Sequence, residues 1–453
     1  RPEGKLELAL ESNDRTKDYH ARIHSRIDIK ALRPLLDAKA QRGLDSIVFT
    51  QPPQIDGEMW GRMHDNKRTG ARAKVVLDNF EFRGQTATHF HAMAQYTNGF
   101  LQLTDGRIER GQEYGTASWV GVDFAARRLY LTNAFSTLEP TAVVNAIGPK
   151  VAKVMEPYRF LKPPTVEVNG IVPLHGDVAA DLHFKVDGGP FHWMKFKIAH
   201  INGKVDWVGQ HLNLSGMQAA FYQGTLTGSA LFDFNRDEGT DFSFDTIVTD
   251  SNLHALMADL AAPTNHLEGH LSGHVNVTQA NSQNWRTWQG RGQVDLHDGL
   301  IWEIPVFGIF SQVLDGISPG LGESRASDGS ATFTITNGVI HSDDLEVRSP
   351  MLRMLYRGTA AIDGRVDVIV EARLLRDFWV VGPILSTVFS PLTKLFEYTV
   401  TGTLSHPKSE PRFLLPAMIL SPFHWLRAPK GPPPANPPAG TNAPPPVLPG
   451  RSP

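Results

Sequence analysis

Through most of this chain apolar and polar side chains alternate with a period of two residues, and a chain so patterned folds into β-strands with one oily and one wet face. Val366, Val368, Val370, Ala372 and Leu374 fall on one side of a strand and Asp367, Glu371 and Arg373 on the other, with Ile369 as the exception. Phe242, Phe244, Thr246 and Val248 alternate with Asp241, Ser243 and Asp245 in the same way, as do Leu182, Phe184 and Val186 with His183, Lys185 and Asp187. Asn98-Gly99, Asp105-Gly106, Asn202-Gly203, Asp298-Gly299, Asn337-Gly338 and Asp363-Gly364 punctuate these runs as turn signals. The expectation is a mainly β fold, an antiparallel meander with a few short helices.

Helical patterns interrupt the meander at about 29–40, 141–158 and 253–260. The first two are followed by short apolar runs and then by double prolines, Pro52-Pro53 and Pro163-Pro164. The third keeps its helix and a following glycine, Gly269, but has Ala262-Pro263 in place of the pair. This reads as degenerate repeats of roughly a hundred residues. A couple of dozen strands in one sheet, at roughly 4.8 Å each, would extend on the order of 100 Å. Such a sheet covers its oily face only by curling, so the expected architecture is an elongated, curled antiparallel groove whose trough suits acyl chains. Eleven of the 32 prolines lie after Ala428. That 428–453 tail is expected to be disordered.

The formal charge is only −3 on 453 residues, which gives no electrostatic reason to expect nucleic acid as a partner. There is no cysteine, which excludes disulfides, thiolate metal sites and cysteine nucleophiles. The opening residues already alternate, Leu6, Leu8 and Leu10 against Lys5, Glu7 and Ala9, and a strand so placed calls for a neighbour. The expectation is a C-terminal portion of a longer chain with a targeting segment upstream.

From Gly290 to about Pro411 the order of glycines and strands is more specific. It runs through Gly290-Arg291-Gly292-Gln293-Val294, Asp298-Gly299-Leu300-Ile301, an Ile304-Pro305 step and a helix containing Gly308. It continues through Ala331-Thr332-Phe333-Thr334-Ile335, Asn337-Gly338-Val339 and Asp344-Leu345, and closes on Tyr398-Thr399-Val400-Thr401-Gly402-Thr403-Leu404 with Pro407. This region resembles the C-terminal part of AsmA-like proteins. Residues 1–289, with the Pro-Pro segments and Leu226-Thr227-Gly228-Ser229-Ala230, are similar to that family's groove repeats. The resemblance implies a periplasmic β-groove in the bacterial cell envelope, anchored in the inner membrane by an upstream segment. It also implies similarity to bridge-like proteins that move phospholipid between inner and outer membranes in support of outer-membrane homeostasis. It brings no catalytic residues and no cofactor, and the chain is expected not to be an enzyme.

The residues expected to face lipid are Phe242, Phe244, Val248, Val366, Val368 and Val370. Residues 290–411 form the AsmA-like terminal region, and 412–427 an apolar segment in which Leu414, Met418, Phe423 and Trp425 would touch a bilayer. Phe378 to Phe396 is long enough for a membrane span, but Pro383 and Pro391 inside it favour short capping helices packed beside the stretch Pro305 to Ile317. His89 and His91, at i and i+2 on a strand, could share a metal, but the position where a carboxylate is wanted holds Gln95. His20 and His24 are weaker still, and no Gly-x-Ser-x-Gly elbow with a serving base is present. An alternative use of the meander is structural, an envelope assembly factor whose sheet edge takes up a strand of a partner protein.

Overall fold

The computed structural model of the chain describes residues 4–35, 38–147, 155, 158–174, 179–234, 239–260, 265–300, 305–310, 326–350, 352–374 and 393–414. They form a mainly β structure, a single 25-stranded sheet in which every pairing is antiparallel. Apart from three strands of three residues each, the strands pair in chain order, from Gly4–Ser12 at one end to Pro407–Leu414 at the other. Among the described residues no pairing joins the two terminal strands, so the sheet is open.

Antiparallel order puts alternate strand ends on opposite rims, and the two rims differ in kind. One carries hairpin connections, among them Asn98-Gly99 and Asn337-Gly338. In both, Asn and Gly take positive φ, 51° and 76° in the first and 52° and 72° in the second, the left-handed geometry that a tight hairpin demands. The other rim carries Ile29–Leu35 with Ala38–Asp45, then Pro140–Ile147, Leu253–Leu260 and Pro305–Gly308, whereas the one-turn 3₁₀ segment Trp285–Thr287 sits on the hairpin rim. Pro34 sits inside the first of these, which is a short 3₁₀ segment broken off from the α-helix that follows. In place of the expected helix over 141–158, the described part ends at Ile147, and Tyr158 already belongs to the strand Tyr158–Phe160.

Both double prolines occupy the same structural place, between a three-residue strand (Ile47–Phe49, Tyr158–Phe160) and the long strand that resumes after it (Gln54–Arg62, Thr165–Pro173). Proline donates no hydrogen bond, so the ladder breaks there and the short piece pairs separately, Phe49 with Phe80 and Phe160 with Phe191.

Three of the six expected turns are not turns. Asp105-Gly106, Asn202-Gly203 and Asp298-Gly299 lie inside the strands Phe100–Arg110, Phe196–Val208 and Gln289–Leu300. Asp105 and Asp298 take φ of 53° and 52°, and the register slips beside Asp105 and at Asn202/Lys204. Asp105-Gly106 and Asp298-Gly299 place an extra residue in a bulge, and opposite Asn202-Gly203 the extra residue lies on the facing strand beside Gly216; such bulges bend a strand and increase its twist.

The most deeply buried side chains gather toward the C-terminal end of the sheet. Leu352, Met354, Val370, Ala372, Phe396 and Val400 are all 0–1% exposed. The turn after the helix Pro305–Gly308 inserts Phe310 among them, stacked on Phe396 with ring centres 5.4 Å apart, while Phe307 meets Tyr356 edge-on at 5.1 Å.

Candidate functional site

Residues directly opposite each other in an antiparallel ladder point to the same face, so a face can be followed from strand to strand through the register. Starting at Leu8, the partners are Ile23, Gly57, Ala73, Ala94, Leu103, Val120 and Leu131 in turn. From Leu131 the row passes to Gly170, Leu182, Trp207, Leu212, Phe232 and Phe242. One step along that strand, Phe244 faces Val277, and the row continues through Gly290, Ile335, Ile340, Ala360, Val366 and Gly402. No charged side chain and no hydroxyl interrupts it. One apolar face therefore runs unbroken across the sheet, and the side chains along it are largely aliphatic or aromatic.

That face is not equally accessible throughout. Leu103, Val120 and Leu131 are half-buried, as are Phe242, Phe244 and Val248. Phe242 stacks in parallel with Phe244 at 6.3 Å and meets Trp288 edge-on at 5.4 Å. Val366 and Val370, by contrast, are 6% and 0% exposed, and Val368 packs against the same core. Of the six residues expected to face lipid, Val368 and Val370 belong to a packed core with Phe310, Phe396 and Tyr398, and Val366 is buried between Ala360 and Gly402 on the flanking strands. The periodicity of their strand shows an apolar face but carries no information about what covers it.

Of the expected bilayer-contact residues, Leu414 ends the strand Pro407–Leu414, so the segment 412–427 begins as sheet. Met418, Phe423 and Trp425 lie outside the described residues. Within the run Phe378 to Phe396, residues 393–396 start the strand Thr393–Thr403, and 378–392 are likewise outside the description. No helix among the described residues is long and apolar enough to cross a membrane.

The opposite face carries a lattice of cross-strand polar pairs, interrupted by the packed rings of Phe100, Trp119 and Tyr130. His24 bonds Asp56, His20 lies 3.1 Å from Glu58, Arg72 reaches the other oxygen of Glu58, and His274 meets Asp245 at 2.8 Å. Hydrogen bonds from Asn276 and His274 hold the Asp245 carboxyl below its ordinary pKa, and the Arg107 guanidinium does the same for Glu109. His89 and His91 share this face. His89 is 2.7 Å from Asp78 and 3.3 Å from His91, while Gln95 lies opposite Arg72 and Gln102 on the flanking strands. Among the described residues no group of three or more His, Asp or Glu side chains is placed to hold a metal ion.

A polar cleft of about 530 Å³ opens on this face between His274, Arg291, Thr332, His341 and Asp344. Its acids and imidazoles are engaged with neighbours. Asp344 accepts from the Thr332 amide and hydroxyl at 2.8 and 2.6 Å, and His341 lies 3.0 Å from Asp343. Burial pushes the Asp344 carboxyl up, but the hydrogen bonds from Thr332 and Ser342 outweigh it and hold the group ionised.

Where the helix Leu253–Leu260 meets the sheet, Leu253 and Leu256 are buried and Asp259 pins it down. The Asp259 carboxylate accepts from Lys197 Nζ at 2.5 Å and from the Tyr222 hydroxyl at 2.8 Å. Burial and that hydrogen bond push the Tyr222 phenol up to about 12. The charge pair was not visible in the sequence, because its members are some 60 residues apart and belong to different elements.

Comparisons with protein-family models, with curated proteins and with solved structures find no match to this chain.

Proposed function

We propose that the chain is a non-enzymatic lipid carrier of the bacterial cell envelope, an AsmA-like curled groove whose apolar face holds the acyl chains of phospholipid between the inner and outer membranes. The observation that carries this reading is the unbroken apolar row from Leu8 to Gly402, half-open over its first two-thirds. A soluble domain that exposes so long an apolar face needs something to cover it. Acyl chains are suited to the task. Each buried methylene contributes about 0.8 kcal/mol, so a tail of about sixteen carbons is held without any polar contact. The bulges inside successive strands supply the bending that a curled sheet requires. Headgroups would remain at the helix-bearing or hairpin rim, and the packed core around Phe310 and Phe396 would close the end of the trough.

The test is mass spectrometry of lipids extracted from the full chain after gentle purification from a bacterial envelope fraction, beside a mock purification. Phospholipid enriched to at least one molecule per chain supports the carrier reading. A folded protein free of lipid rejects it and favours the assembly-factor reading, in which the sheet edge takes up a strand of a partner protein.

A further inference from the structure

We infer that the tight turn Met194-Lys195 on the helix-bearing rim, with the exposed side chains around it, is a docking site for an anionic bilayer surface. The turn joins the strands Phe191–Trp193 and Phe196–Val208, and in the ladder Trp193 lies opposite both Tyr158 and Phe196. Behind it is a packed base in which Phe191, Ile198, Phe221 and Leu256 are buried, with Phe160 and Phe196 against them. Trp193 stacks on Phe196 with ring centres 5.7 Å apart, and Tyr158 on Phe160 at 6.4 Å. In front of that base the apolar groups stand in solvent: Tyr158 is 37% exposed, Trp193 40%, Leu161 56% and Met194 68%. Leu161 belongs to the same tip, because its amide donates to Pro190 O at 3.0 Å. Met194 takes φ of 53°, a left-handed position that Asn or Gly fills more easily, so a large apolar side chain is presented there against the preference of the backbone.

The charge around this tip is of one sign. Arg159, Lys162, Lys195 and Lys197 surround it, and among the described residues at 158–162, 190–198 and 253–260 the one acid is Asp259, which Lys197 and the Tyr222 hydroxyl already hold. Arg159 and Lys162 are exposed and have no acid partner among the described residues, and Lys195 leans on the Leu260 carbonyl at 3.5 Å. Tryptophan and tyrosine rings set between apolar tips and unpaired cations are the groups that settle at the boundary of acyl chains and anionic headgroups.

The hairpin rim shows what distinguishes this tip. Exposed apolar side chains occur there too, but Met63, Phe124, Phe234 and Ile362 stand within two residues of Asp65, Asp123, Asp233 and Asp363, respectively. An anionic surface repels such turns and attracts the one at Met194. Docking at this tip does not depend on what the apolar face carries.

The experiment uses the full chain and vesicles of phosphatidylethanolamine with phosphatidylglycerol, beside vesicles of phosphatidylcholine alone. Because the chain has no cysteine, Met194→Cys or Leu161→Cys carries a single environment-sensitive fluorophore, with Met63→Cys and Phe124→Cys as reporters on the other rim. Fluorophores at 194 and 161 are expected to shift to the blue on the anionic vesicles only, and those at 63 and 124 to stay unchanged. Arg159→Gln/Lys162→Gln is expected to weaken vesicle binding on the order of twentyfold. Met194→Asp, which suits the left-handed turn and so keeps the fold, is expected to weaken it about tenfold or more. No binding of the wild-type chain to anionic vesicles, an equal response from both rims, or binding indifferent to these substitutions would overturn the inference. Lipid extracted from the same preparation is measured in parallel. Vesicle binding by lipid-free protein rejects only the carrier reading, and lipid-loaded protein that ignores vesicles overturns only this inference.

Discussion

Replacing Leu131 by Asp tests the lipid reading at a single side chain. Leu131 lies half-buried in the middle of the apolar row, flanked by Val120 on one strand and Gly170 on the other, while Thr132 beside it is exposed on the opposite face. An extended tail of about sixteen carbons crosses roughly four strands, so one row position supplies about a quarter of its contacts. Losing the leucine contact costs about 1 kcal/mol, and setting a carboxylate against the tail about 2 kcal/mol more. The sum of ~3 kcal/mol corresponds to roughly a hundredfold weaker binding. Thr132→Asp adds the same charge on the wet face and should change affinity by less than about threefold. The assay is titration of the delipidated chain with a fluorescent phospholipid, with circular dichroism to verify that both variants fold. Equal loss in both variants, or none in either, would refute the assignment of the apolar row to lipid.

Other consequences concern stability. Phe396→Ala empties the space between Phe310 and Tyr398 in the fully buried core and should destabilise the C-terminal end by about 3–5 kcal/mol in denaturant unfolding; less than about 1 kcal/mol would mean this core is not packed as described. Asp259→Ala strands the Tyr222 hydroxyl and Lys197 and should free the helix Leu253–Leu260 at a cost of about 1–3 kcal/mol, read as faster hydrogen exchange across 253–260 with the rest of the sheet unchanged. The carboxyls of Asp245, Asp259, Asp344 and Glu346 are all held below their ordinary values of 3.8 for Asp and 4.5 for Glu. For Glu346 and Asp259, burial pushes upward but is outweighed by hydrogen bonds from Arg348 and Arg353 and from Lys197 and Tyr222, respectively. A depressed folded pKa contributes stability that is present above the unfolded value and lost as pH falls through the folded one. Thermal stability should therefore be flat in this respect above about pH 5 and decline below about pH 4.5, and Asp259→Asn should shallow the acid limb.

Alternation was enough to read the strands, because one oily and one wet face is what a sheet of this kind demands at every residue. It could not separate Asn98-Gly99 from Asp105-Gly106. Both dipeptides accept left-handed backbone, and whether the chain reverses there or merely bulges depends on the neighbouring strand's register. A helix from Leu253 was legible because its apolar spacing changes from the period of two on either side, and Glu268 restarts the strand pattern. Tyr158, at the expected end of the second helix, was drawn into the sheet by pairing with Trp193, a contact 35 residues away in sequence that no local window contains. The apolar face itself was legible at Phe242, Phe244 and Val248. That Val370 is sealed in a core with Phe310 and Phe396 was not, since tertiary covering leaves no trace in a period-two pattern. The placement of the described α-helices on one rim was equally hidden, because it follows from strand parity summed along the whole meander.

The central claim, that the apolar row holds acyl chains, is tested most directly by photocrosslinking inside bacterial cells. A photoreactive phenylalanine analogue is placed at 103, 120 or 131 on the apolar face, and at 104 or 132 on the polar one. Radioactive phosphate fed to the cells then marks any covalently attached phospholipid. The account predicts labelled protein at 103, 120 and 131 and background at their neighbours. Labelling without alternation, or none at any position in a protein that is exported and folded, would contradict it.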